Sequence, residues 1–175
     1  VEQRLELGER ELFAHGQATP SGSTRFLTHA TFRPTPALIF TVQAQGYAAW
    51  IESQLTRPVA SYLAYVDTLP VPADEKYSWY AREAFWKQAI QGQDQLRQRM
   101  TLALSEIFVA SSEDDDLAHA LPTAAYMDVL NRNAFGNFRT LLQEVTLSPS
   151  MGAYLGLNGP GIPLRSRERV WRLFS

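Results

Sequence analysis

The sequence predicts an all-α protein, an irregular multi-helix bundle of about seven to nine short and medium helices with no significant sheet. Three observations carry that prediction. Apolar residues recur at the spacing of one helix face, most cleanly at Phe138, Leu141, Leu142 and Val145. Capping residues and prolines open the periodic stretches and glycines close them, as at Thr35-Pro36, Gly46, Gly92, Gly136 and Ser148-Pro149. No run alternates apolar β-branched residues with polar ones, and no internal repeat is evident.

Taken in order, residues 1–23 read as a weakly structured segment, a weak helix followed by a loop that contains Gly16, Pro20 and Gly22. A short turn of helix from Thr24 carries Arg25, Phe26 and Leu27 and ends before Pro34. Thr35 then caps a helix with Pro36 at its first position, Leu38, Ile39 and Val42 buried, and Gly46 as its stop. Tyr47, Ile51 and Leu55 stack on a following helix that Arg57-Pro58 breaks. A shorter helix covers Ala60 to Val66, and Leu69-Pro70-Val71-Pro72 forms a stiff, extended seam.

Asp74 is expected to cap a helix to Gln91 that buries two faces, Tyr77, Ala81, Ala84 and Phe85 on one and Trp79, Trp86 and Ile90 on another. From Asp94, the positions Leu96, Met100, Ala103, Leu104, Ile107 and Phe108 predict a core-facing stripe. Residues 111–116 make a solvated acidic loop, since a cation loop needs alternated ligands and a glycine turn. After Pro122 a helix runs to Ala134 with Met127 and Leu130 inward, and Gly136 ends it in the left-handed conformation. Asn137 caps the next helix, Ser148-Pro149 opens a short one through Leu155, and Arg165 to Phe174 forms a final basic helix after a Gly/Pro-rich loop.

Bulk composition bounds the function. The 16 basic and 18 acidic residues give a net charge of -2 without a basic stripe, so nucleic acid is not an expected partner. With no cysteine, disulfides and thiolate chemistry are excluded. No apolar run reaches the ~18 residues of a transmembrane segment. The chain opens on Val1 without a leader, from which we expect an N-terminal portion to precede it.

No phosphate loop, nucleophile elbow or zinc-spaced histidine pair is present, and His15, His29 and His119 are far apart, so neither a metal nor a cofactor is expected. Two polar stretches remain. On the Asp94 helix, Gln95, Arg99 and Glu106 flank the apolar stripe, and Asp94 can pair with Arg97 or Gln98. At Asn131 to Arg139 a helix end meets a helix start, where amide N–H groups beside Arg139 would suit a carboxylate or phosphate. The candidate ligand-binding residues are Arg97, Arg99, Asn133, Asn137 and Arg139, although inter-helix pairing and capping explain the same pattern structurally. The aromatic cluster from Tyr77 to Trp86 is read as core before it is read as a sugar platform.

The segments RFLTHATFRPT (Arg25 to Thr35), GYAAW (Gly46 to Trp50), DQLRQRMTLALSEIFVAS (Asp94 to Ser111), YMDVLNRNAFGNFRTLL (Tyr126 to Leu142) and EVTLSPSMGAYL (Glu144 to Leu155), in this order, resemble the N-terminal part of the bacterial family called domain of unknown function 1800. The resemblance covers Thr24 to Asn158, with Arg33 where the family pattern usually has glycine and a divergent tail over 159–175. It implies a helical domain over 24–158, and a large protein that continues further, is often exported to the periplasm or beyond, and is encoded beside a sulfatase-like partner. It supplies no established catalytic residue. Two functions follow as expectations: a helical scaffold or surface-interaction protein, or an enzyme or ligand-binding protein whose anion site uses the residues above.

Overall fold

The structure, a computed structural model, describes residues 18–110 and 119–155. Eight α-helices and one 3-10 turn occupy the described residues, with no strand among them. The chain divides into two compact units between Arg57 and Pro58. The acidic loop and the basic tail helix lie outside the described residues.

In the first unit, α1 spans Pro20–Ala30. It begins four residues before the expected start at Thr24, because Thr19 caps it through an accepted Gly22 N–H at 3.1 Å and Pro20 supplies a first residue whose φ is already helical. Helix α2 spans Pro36–Leu55. Thr35 caps it as the sequence predicted, its Oγ1 accepting the Leu38 N–H at 3.2 Å. Gly46, at φ 83° and ψ 166°, breaks the helical path in the middle. An L residue there would strain its own backbone, which favours glycine. Val42 and Trp50 are the buried anchors of α2, whereas Leu55 of the expected stripe is exposed. Phe26 of α1 packs edge-on against Tyr47 and Trp50 at 5.0 and 5.3 Å, which joins the two helices.

The second unit contains α3 (Tyr62–Thr68), the 3-10 turn Ala73–Glu75, α4 (Ser78–Gln91), α5 (Gln95–Ile107), α6 (Ala120–Arg132), α7 (Phe138–Thr146) and α8 (Pro149–Tyr154). Its axis is α6, which packs against α3, α4, α5, α7 and α8. Tyr126, Val129 and Leu130 of α6 meet Leu141 and Val145 of α7 in one buried cluster, flanked by Leu104, Phe108 and Met151. Full burial of a side chain like Leu130 contributes on the order of 1.5–3 kcal/mol. Pro122 sits inside the first turn of α6, where no intrahelical donor is lost.

The structure departs from the sequence expectations at four places. Asp74 falls in the 3-10 turn, and Tyr77 occupies the cap position of α4 without a side-chain cap bond. Only one face of α4 is buried, through Ala81, Ala84, Phe85 and Ala89, while Trp79, Trp86 and Ile90 are about half exposed. Gly136 does not take a left-handed φ. The chain leaves α6 instead through short-range bonds, Ala134 N–H to Asn131 O at 3.3 Å and Gly136 N–H to Asn133 O at 3.0 Å. On α5 the predicted stripe is split: Leu104 and Phe108 pack on the core cluster, but Met100 is 39 % and Ile107 70 % exposed, and the fully buried positions are Gln95, Arg97, Gln98 and Thr101.

Candidate functional site

Asp94, Arg97, Gln98 and Thr101 are spaced i, i+3, i+4, i+7, so they share one face of α5, and that face is buried. Groups of this kind stay inside only if their hydrogen bonds are met. The Tyr62 hydroxyl donates to Gln98 Oε1 at 2.6 Å, and Gln98 Nε2 donates to Asp94 Oδ2 at 2.9 Å. Gln88 of α4 donates to the other Asp94 oxygen at 2.8 Å. The Asn131 side chain lies 3.2 Å from the Thr101 hydroxyl and donates to Ala60 O at 2.7 Å. Desolvation drives the Tyr62 phenol well above its ordinary pKa, so the phenol stays a donor. The network ties α3, α4, α5 and α6 together and spends its polar atoms on one another.

The five sequence-predicted residues are distributed rather than gathered. Arg97 is 5 % exposed, donates through Nη1 to Asn131 O at 3.0 Å near the end of α6, and stacks 4.6 Å from the Phe135 ring centre. Its Nε has no partner among the described residues. Burial lowers its pKa, opposed by the nearby Asp94 carboxylate. Arg99 is half-buried, two residues on and therefore about 200° around the helix from Arg97. Asn133 Nδ2 donates to Val129 O at 2.9 Å and to Glu144 Oε2 at 2.8 Å. Asn137 caps α7, accepting the Arg139 N–H at 2.9 Å, and the Arg139 side chain is exposed.

None of these five lines the cleft of about 580 Å³ that opens between α3, α6, α7 and the start of α8. Leu63, Leu121, Val129 and Leu147 provide its apolar surface, and Asp67, Asp128, Arg132 and Glu144 its charges. Asp128 accepts the Ser61 hydroxyl at 2.6 Å and the N–H groups of Tyr62 and Leu63 at 2.7 and 3.3 Å, so it caps α3 from another helix. Burial raises its pKa despite those bonds and the neighbouring Arg132. Arg132 Nε and Nη2 both reach Glu144 Oε2 at 2.9 Å. The Asp128 contact joins residues more than sixty apart, so no local spacing could have revealed it. Among the described residues, no three His, Asp or Glu side chains converge as a metal site. No helix among them is long and apolar enough to cross a membrane.

The sequence model of the family described as "Protein of unknown function (DUF1800)" matches residues 25–159. The chain belongs to the DUF1800 family. Neither the curated proteins nor the solved structures yield a match. In this DUF1800 chain the segments that carry the resemblance have identifiable structural work. Arg25 to Thr35 supplies most of α1 and the cap of α2, Asp94 to Thr101 supplies the buried polar face, and Tyr126 to Leu142 supplies the end of α6 with the turn into α7.

Proposed function

We propose that this DUF1800 chain is the helical region of a scaffold or surface-interaction protein. The observation that supports this reading is the outward apolar face of α5. Met100 and Ile107, seven residues apart and so on one face, stand 39 % and 70 % exposed, while the polar face is committed to the interior. On α4, Trp79 and Trp86 repeat the pattern at the same spacing, each nearly half exposed. Apolar surface left in water costs about 25 cal/mol per Å², and large exposed apolar patches mark interaction sites. Export to the periplasm or beyond, and a sulfatase-like partner, belong to the same proposal and rest on the family resemblance alone.

Sedimentation velocity tests it. The chain should self-associate and bind an apolar dye, and Met100→Glu with Ile107→Glu should reduce both without changing the helical signal. A monodisperse, cooperatively melting monomer that leaves the dye dark overturns the proposal. The alternative, an anion site of Arg97, Arg99, Asn133, Asn137 and Arg139, has less support because Arg97, Asn133 and Asn137 are each engaged by other groups of the fold. A rise of several degrees in melting temperature with millimolar inorganic phosphate would favour that alternative instead.

A further inference from the structure

The cleft between α3, α6, α7 and α8 combines three features. Its size, about 580 Å³, falls within the ~300–1,000 Å³ of small-molecule sites. Its apolar walls come from Leu63, Leu121, Val129 and Leu147. Its charged groups are three carboxylates, Asp67, Asp128 and Glu144, against the single guanidinium of Arg132.

The hydrogen bonding of those carboxylates is uneven. Asp128 already holds three donors at the start of α3. Glu144 is lopsided. Arg132 Nε, Arg132 Nη2 and Asn133 Nδ2 all converge on its Oε2 at 2.8–2.9 Å, and Oε1 receives no donor from the described residues. Two of the five Arg132 N–H donors are thereby turned to Glu144. Asp67 stands at the end of α3, where its backbone oxygen accepts from Lys76 Nζ at 3.3 Å, and its exposed carboxylate has no hydrogen-bond partner among the described residues. An unfilled carboxylate oxygen beside apolar walls and a negative balance of charge is complementary to a positive head on an apolar body.

We propose that this cleft binds a small organic cation, a primary amine or amidine carried on a compact apolar group. The N–H donors meet Glu144 Oε1 and the field of Asp67 and Asp128, and the apolar body lies on Leu63, Leu121, Val129 and Leu147. This site is separate from the outward faces of α4 and α5, and its failure would leave the scaffold reading standing.

Equilibrium dialysis of the full chain at neutral pH tests the proposal with three probes of one shape, 1-naphthylmethylamine, 1-naphthalenemethanol and 1-naphthoate. The amine should bind about tenfold more tightly than the alcohol, the difference one charge-assisted hydrogen bond provides. The carboxylate should bind most weakly, and added salt should narrow the gap. Asp67→Asn, which removes no described side-chain hydrogen bond, should weaken the amine several-fold and leave the alcohol unchanged. Glu144→Gln, with its fold checked by circular dichroism, should abolish the preference for the amine. Equal binding of amine and alcohol would mean apolar adsorption only. That result, no amine binding at millimolar concentration, or an amine preference untouched by Asp67→Asn overturns the proposal.

Discussion

Asp128, in the body of α6, holds the N-terminus of α3: its Oδ1 accepts the Tyr62 N–H at 2.7 Å, across sixty-six positions of sequence. Ser61 caps the same helix locally by accepting the Ala64 N–H at 3.0 Å while giving its own proton to Asp128 at 2.6 Å. The short helix is thus held at its start from two directions. At its other end Lys76 Nζ donates to Val66 O at 2.8 Å and to Asp67 O at 3.3 Å, so unpaired backbone groups at both ends are met by other parts of the chain.

Replacing Asp128 with alanine leaves the Tyr62 and Leu63 donors without their acceptor. We expect a loss of about 2–3 kcal/mol in urea unfolding, the range for charged hydrogen bonds and caps. An unchanged midpoint would show that water replaces the carboxylate at no cost.

The same residue sets a pH dependence. Because burial raises its pKa in the folded protein, the folded state binds more protons there than the unfolded state does, from the ordinary value of 3.8 upward. The protonation-linked part of the Asp128 contribution, separate from its hydrogen bonds, is therefore present in acid and is lost as pH rises through the folded pKa. Asp128→Asn should remove that falling component, so the stability difference between wild type and variant should change between pH 3.8 and the folded pKa and be flat above it. A difference that is constant across this window contradicts the assignment.

Tyr62→Phe removes one hydroxyl from the buried network and strands Gln98 Oε1. The expected cost is about 1–3 kcal/mol in thermal or urea unfolding, without loss of helical signal. Gln98→Leu in that background should then cost less than it does alone, because the two residues share one bond.

Gly46→Ala isolates backbone strain, since a Cβ at that position would meet nothing within 4 Å while φ stands at 83°. The penalty should be about 1–3 kcal/mol, read as a lower melting temperature. No change would mean that the α2 break relaxes to an ordinary helical turn.

Much of the helical layout was legible. Thr35-Pro36 and Asn137 act as the caps their sequence implied, and Gly46 interrupts its helix as expected. What failed was the orientation of α5. Periodicity locates an apolar stripe but does not say which side meets the core, and Asp94, Arg97, Gln98 and Thr101 satisfy the helical template as well as Leu96, Met100 and Leu104 do. Their burial depends on Tyr62, Gln88 and Asn131, partners supplied by other helices. The cleft was invisible for the same reason, because its carboxylates stand on α3, α6 and α7 and meet only in three dimensions.

The position of α6 has a consequence for how the second unit comes apart. Five helices lean on it, so none of them can be peeled away without baring part of its surface, and its loss would leave them little to rest upon. Its central amides should accordingly be the last in the unit to trade their hydrogens for deuterium, and they should do so together, in one concerted opening.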